Sequence, residues 1–148
     1  MEEQITSLTF SRKNSESPFN DFKAGHYSIR TTEYQSLINW YKEKLDFRLI
    51  KEWTSGEMQL AFMALPNDDS FLLEILGVKN IEQETYTENK AGYDHICFNV
   101  MDLNLTIEEL NKRKINILRS FKAPAIGKRV AFILDPFGNK IEFCEDIK

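Results

Sequence analysis

Residues 135–142 read Asp135-Pro136-Phe137-Gly138-Asn139-Lys140-Ile141-Glu142, a turn running into a strand that carries a carboxylate. Pro136 and Gly138 punctuate the turn. Beyond it, Ile141 and Phe143 alternate with Lys140, Glu142 and Cys144, the period of a strand with two unlike faces. An earlier strand-like run, Phe71 to Leu76, also carries one carboxylate, Glu74, between Leu73 and Ile75. The chain's two histidines, His26 and His95, each fall in a further strand-like run. They lie 69 residues apart, and Glu74 and Glu142 lie 68 apart. Two unlike residue types recurring at nearly one offset predict an internal duplication.

The remaining pattern fits two copies of one unit. In the first, the strand His26 to Thr31 leads into a helix with Tyr34, Leu37, Ile38, Tyr41 and Leu45 at helical spacing. Thr32 with Gln35 reads as a capping box for that helix. Strands are expected over 47–53, 58–65 and 71–76, separated by Ser55-Gly56 and by Pro66-Asn67-Asp68-Asp69. In the second, the strand 94–100 precedes a helix capped by Asp102 and carrying Leu103, Ile107 and Leu110. Strands follow over 115–121, 129–134 and 139–144. The expected architecture is α+β, with two βαβββ modules, about 25–78 and 92–148, forming a cupped mixed β-sheet. Residues 77–92 make a polar, acidic linker. Residues 1–24 read as an N-terminal extension, with a short strand over 4–10 and a loop over 11–20.

Composition bounds the function. The 148 residues are 42% hydrophobic and 28% charged, in the range of globular rather than disordered chains. Nineteen basic and 23 acidic residues give a net charge of −4, without the basic footprint of a nucleic-acid binder. No apolar run approaches the roughly 20 residues that span a bilayer. Two cysteines, Cys97 and Cys144, are too few for a disulfide framework. A soluble, cytoplasmic protein with reduced thiols is expected.

Strand alternation assigns faces. His26 shares one with Ser28 and Arg30, and His95 with Cys97 and Asn99. Glu74 goes with Leu72 and Leu76, and Glu142 with Lys140 and Cys144. The opposite faces, including Tyr27, Ile29, Leu73, Ile75, Ile96, Phe98, Ile141 and Phe143, are apolar and suit packing against the helices. A carboxylate in such a strand is costly to bury without a partner. A divalent cation would supply one, and two imidazoles with two carboxylates suit iron, cobalt, nickel, manganese or zinc. The bland reading of either histidine alone is a hydrogen-bonded structural residue. Cys97 and Cys144 read as small packing residues, Trp40 and Tyr41 as helix packing, and Lys128 and Arg129 as a solvated loop in preference to the pocket mouth. Trp53, Phe62 and Met63 suit either a pocket wall or the core. Arg30 suits either a substrate carboxylate or an acid of the chain, Glu74 or another that is buried.

These pieces together resemble the vicinal oxygen chelate superfamily, which includes glyoxalase I, methylmalonyl-CoA epimerase, extradiol dioxygenases and bleomycin-resistance proteins. Gly25-His26, the segment 40–47, Gly92-Tyr93-Asp94-His95-Ile96 and the segment 135–142 carry the resemblance, which spans residues 25–145. It implies that His26, Glu74, His95 and Glu142 are metal ligands, in a pattern most like the short bacterial glyoxalase I. That in turn implies nickel or cobalt in preference to zinc, with iron and manganese also suited to the donor set. The implied activity is a lyase or isomerase acting on a small oxygenated metabolite through a metal-stabilised, enediolate-like intermediate. Glu142 or Glu74 would be the base, with Arg30 and Asn99 contacting substrate. A ring-opening dioxygenase, an epimerase and a metal-free ligand-binding protein are the alternatives. The resemblance also implies a homodimer, with neither nucleic acid nor membrane as partner.

Overall fold

The computed structural model describes residues 3–82 and 91–148. The chain divides into two compact units, one of residues 13–83 and the other of residues 1–12 with 84–148. Each holds the same order of elements. The first has β1 (His26–Thr31), α1 (Tyr34–Leu45), β2 (Arg48–Ser55), β3 (Met58–Ala64) and β4 (Leu72–Gly77). The second has β5 (His95–Asn99), α2 (Leu103–Lys112), β6 (Arg119–Ala123), β7 (Lys128–Leu134) and β8 (Lys140–Asp146), with a short 3-10 turn at Pro124–Ile126.

Each unit contains a four-stranded mixed sheet, ordered β1-β4-β3-β2 in one and β5-β8-β7-β6 in the other. In both, the first strand runs parallel to the last and the other pairs are antiparallel. A hairpin cannot join parallel neighbours, so the helix carries the chain over the sheet before two strands bring it back. One face of each sheet makes the core with its helix. In the first unit Ala61, Met63, Leu73 and Ile75 are fully buried, as are Leu37 and Tyr41 of α1. In the second Ala131, Ile133, Ile141 and Leu103 of α2 are fully buried. The expected alternation holds: Leu73 and Ile75 are buried on either side of a half-buried Glu74, and Ile141 and Phe143 flank Glu142 in the same way. α1 lies close on its sheet because Gly77 lacks a side chain. A Cβ there would stand 2.8 Å from the Cβ of Tyr34.

Several expectations are corrected. Residues 4–10 form no strand. They run as irregular chain, with the Thr6 N–H donating to the Pro124 carbonyl at 2.7 Å. The Thr32–Gln35 capping box does not form. The Thr31 hydroxyl instead accepts from the Glu33 N–H at 2.9 Å, and α1 starts at Tyr34. At α2 the cap is as expected, with the Asp102 carboxylate accepting from the Leu105 N–H at 3.1 Å. β6 begins only at Arg119, and Ile115 is buried without joining a strand. Lys128 lies on β7 rather than in a loop, and Arg129 lies there too, as the expected strand over 129–134 has it. Lys128 pairs with Asp146, and Arg129 reaches Glu145 at 3.2 Å. Residues 83–90 of the 77–92 linker lie outside the described residues. Among those residues no helix is long and apolar enough to cross a membrane.

The turn at 135–138 sets the start of β8. The buried Asp135 carboxylate accepts from the N–H groups of Phe137 (2.9 Å) and Asn139 (3.0 Å) and from the Asn139 side-chain amide (2.7 Å). Gly138 takes the positive φ of 84° that the turn requires. Asp135→Ala removes three hydrogen bonds from one buried carboxylate, and equilibrium urea unfolding is expected to show a loss of about 2–3 kcal/mol.

Candidate functional site

Both modules build the same small constellation on the sheet face turned away from the helix. In the first, parallel register sets Ser28 of β1 opposite Glu74 of β4, and β3 sets Phe62 on the other side of Glu74. His26, two residues before Ser28, brings its Nε2 to 3.8 Å from Glu74 Oε1. In the second, Cys97 of β5 and Phe132 of β7 flank Glu142 of β8. His95, two residues before Cys97, brings its Nε2 to 3.7 Å from Glu142 Oε2. Each imidazole meets its phenylalanine edge-on, His26 with Phe62 at 5.4 Å and His95 with Phe132 at 5.2 Å.

The His–Glu distances are informative. They exceed the roughly 2.7–3.2 Å of an N–H···O hydrogen bond. They suit two donors that each reach one cation at about 2.1 Å. Glu74 and Glu142 are mostly shielded by their sheets, while His26 and His95 keep more exposure. Within each module, an imidazole nitrogen beside a carboxylate, on strands whose other faces are apolar, is donor chemistry that fits a divalent metal.

The modules differ in what holds each pair. The Ser28 hydroxyl donates to Glu74 Oε1 at 2.7 Å. In the second module that position is Cys97, whose sulfur lies within 4.8 Å of a Glu142 carboxylate oxygen. Partial burial of the Cys97 sulfur, followed by the hydrogen bond to Glu142, pushes that thiol well above the usual thiol range. Burial also raises Cys144, which packs with Val130 and Phe132, as expected of a small core residue.

His95 has a partner that His26 lacks. Its Nδ1 lies 2.6 Å from Asp94 Oδ2, and Lys140 Nζ reaches the same oxygen at 2.9 Å. The hydrogen bond from His95, then that from Lys140, hold the Asp94 carboxyl below the usual carboxylate range. Asp94 therefore stays ionised to lower pH than an ordinary carboxyl. The matching first-module positions are Gly25 and Leu72, which offer neither group.

Asp94, Lys140 and Phe132 were not picked out as site residues in the sequence, and Phe62 was read as either pocket wall or core. The matching of the two phenylalanines, 70 residues apart, was available as a repeat signal. Asp94 was hidden because period-2 alternation puts it on the face opposite His95. It lies just before β5 begins, where the chain is free to turn its carboxylate back. Arg30 does not hold Glu74. It is exposed and pairs with no carboxylate among the described residues, and Asn99 is exposed on the equivalent strand position. Of the other ambiguous residues, Met63 is core, while Trp53 stacks obliquely on Phe62 at 5.0 Å.

Comparison with known proteins bears on this geometry. A family model described as the Glyoxalase/Bleomycin resistance protein/Dioxygenase superfamily matches residues 23–143. A lactoylglutathione lyase from Haemophilus influenzae is 31% identical over 124 residues, covering 82% of this chain and 90% of that protein. An uncharacterised protein, YwkD, from Bacillus subtilis is 26% identical over 120 residues, covering 81% and 94%. Among solved structures, a glyoxalase family protein from Enterococcus faecalis superposes with a TM-score of 0.68 at 28% identity, covering 81% of this chain and 94% of that one. The α+β architecture of paired βαβββ modules and the match over most of its length place this chain in the Glyoxalase/Bleomycin resistance protein/Dioxygenase superfamily.

Proposed function

We propose that the protein is a divalent-metal-dependent lyase or isomerase of the glyoxalase I type, acting on a small oxygenated metabolite. His26, Glu74, His95 and Glu142 are its metal ligands in this reading. The observation that carries it is the duplicated His–Glu pair, with Nε2 to carboxylate distances of 3.8 and 3.7 Å. The likeness to a lactoylglutathione lyase supports this chemistry over other members of the superfamily. Nickel or cobalt is the favoured ion. Zinc, iron and manganese accept the same donors. A homodimer is part of the same proposal.

When bound, the cation would supply Lewis acidity to neighbouring oxygens of the substrate. The chain's own residues do the rest. A carboxylate takes the proton next to the substrate carbonyl, and the two candidates are not equivalent. Glu74 accepts a strong hydroxyl hydrogen bond at 2.7 Å. Glu142 faces the weaker thiol donor of Cys97 and is the freer to act as base. Arg30 offers a planar pair of donors to a substrate carboxylate, and Asn99 offers its amide. Asp94 fixes the proton of His95 on Nδ1, leaving Nε2 as the donor nitrogen.

The test is metal content by mass spectrometry on untagged protein, with turnover of the methylglyoxal–glutathione hemithioacetal alongside. Near-stoichiometric divalent metal is expected, lost in His26→Ala and in His95→Ala. Glu142→Gln is expected to lower kcat by about 10²–10⁴, the usual worth of a general base. Failure to bind any of the five ions after reconstitution would overturn the reading. So would oxygen uptake with a catechol in place of hemithioacetal turnover. Asp94→Ala is expected to weaken metal retention about 10–100-fold in a chelator competition, with the fold unchanged by circular dichroism.

A further inference from the structure

The second module holds a cluster that the four-ligand reading does not use. One ligand atom each from Cys97, Glu142 and Cys144 lie within 4.8 Å of one another. Cys97 is exposed, Glu142 half-buried and Cys144 buried, so the cluster is open on one side and seated on the sheet at the other. Val130 lies opposite Cys144 and Phe132 opposite Glu142, giving it an apolar margin. The first module has Ser28 and Leu76 at the two cysteine positions, so the cluster belongs to the second module alone.

Two fates are open to a pair of neighbouring thiols, a disulfide or a shared metal. Register speaks against the disulfide. Cys97 pairs with Glu142, and Cys144 pairs with Asn99, so the cysteines sit diagonally across adjacent parallel strands. Strand spacing and rise put their Cα atoms about 8 Å apart, beyond the roughly 7 Å that a disulfide bridges without moving the backbone. A shared cation asks less. Two sulfurs bound at about 2.3 Å in a tetrahedral set stand about 3.8 Å apart, an adjustment of less than about 1 Å from the present spacing.

We propose that Cys97, Cys144 and Glu142 form a binding site for a thiophilic divalent cation of the zinc or cadmium class. Three protein donors leave a fourth position for water, and thiolates select soft ions over the hard ions that carboxylates alone would hold. Both thiol protons leave on binding. Because Glu142 is common to this set and to the proposed four-ligand set, a soft ion held by the cysteines would withdraw Glu142 from the other. The proposal rests on the cysteine geometry and not on the four-ligand reading.

The experiment titrates cobalt(II) into the reduced, metal-free, full-length chain and follows thiolate-to-cobalt charge transfer in the near ultraviolet. Cadmium is then added as the competing soft ion. The band is expected in the wild type and is expected to be displaced by cadmium. It should be lost in Cys97→Ser/Cys144→Ser and strongly reduced in Cys97→Ser alone, which changes only an exposed residue. It should persist in His26→Ala/Glu74→Gln, which disables the four-ligand set without touching the cluster. Absence of the band in cobalt-loaded wild type would overturn the proposal, as would its survival in the double-cysteine variant or its loss in His26→Ala/Glu74→Gln. A wild type that binds cobalt in a His26-dependent way without the thiolate band would sink the cysteine site and leave the four-ligand reading standing. A thiolate band with no His26-dependent metal would do the reverse.

Discussion

Parallel pairing between the first and last strand of each module is the constraint on which the candidate site depends. Ser28 and Cys97 each lie level with a glutamate on the neighbouring strand, and the histidine two residues earlier reaches that glutamate along the same face. A slip of one residue in either pairing would turn the glutamate into the helix-packed core and the apolar residues beside it toward solvent. The core residues Leu73, Ile75, Ile141 and Phe143 oppose such a slip, because burying them requires Glu74 and Glu142 to face away from the helix. The hydrophobic core and the chemical site are therefore specified by one register.

Duplication made the frame, and divergence made its halves unequal. The shared parts are the histidine, the glutamate and an edge-on phenylalanine in each module. The differences lie in the immediate neighbours. A hydroxyl holds Glu74, whereas Glu142 has a thiol. His26 follows a glycine, whereas His95 is braced by Asp94 and, through it, by Lys140. Bracing fixes both the ring orientation and the proton position of one histidine. The two halves thus offer different donors to whatever binds them. The chemical asymmetry of the two modules is set by residues adjacent to the repeated ones.

Most of the fold was legible in the sequence because period and punctuation carry it. β1 falls at the residues that alternation assigned, Asp102 caps α2, and the Asp135 turn is held by its own carboxylate, as short polar turn residues allow. The misses have local causes. Thr32 and Gln35 match a capping box, but the N-cap falls one residue later, at Glu33, so the pair is out of register with the first turn. Ile115 reads as strand by hydrophobicity, yet it fills the core without pairing. Lys128 looks like a loop residue, but Asp146 across the ladder holds it on a strand.

By itself the sequence determined the duplication, the order of elements, and the face on which each histidine and glutamate lies. A period of two or of 3.6 residues is a property of the chain alone. It could not say which residues of different strands stand level, since alternation is the same for every register that keeps the faces. The 3.8 and 3.7 Å His–Glu pairs, the Ser28–Glu74 hydrogen bond and the Cys97–Glu142–Cys144 cluster all depend on that choice. Asp94 stood further outside the sequence's reach. It lies one residue before its strand, where alternation no longer governs direction, and only the folded positions of His95 and Lys140 turn it toward the site.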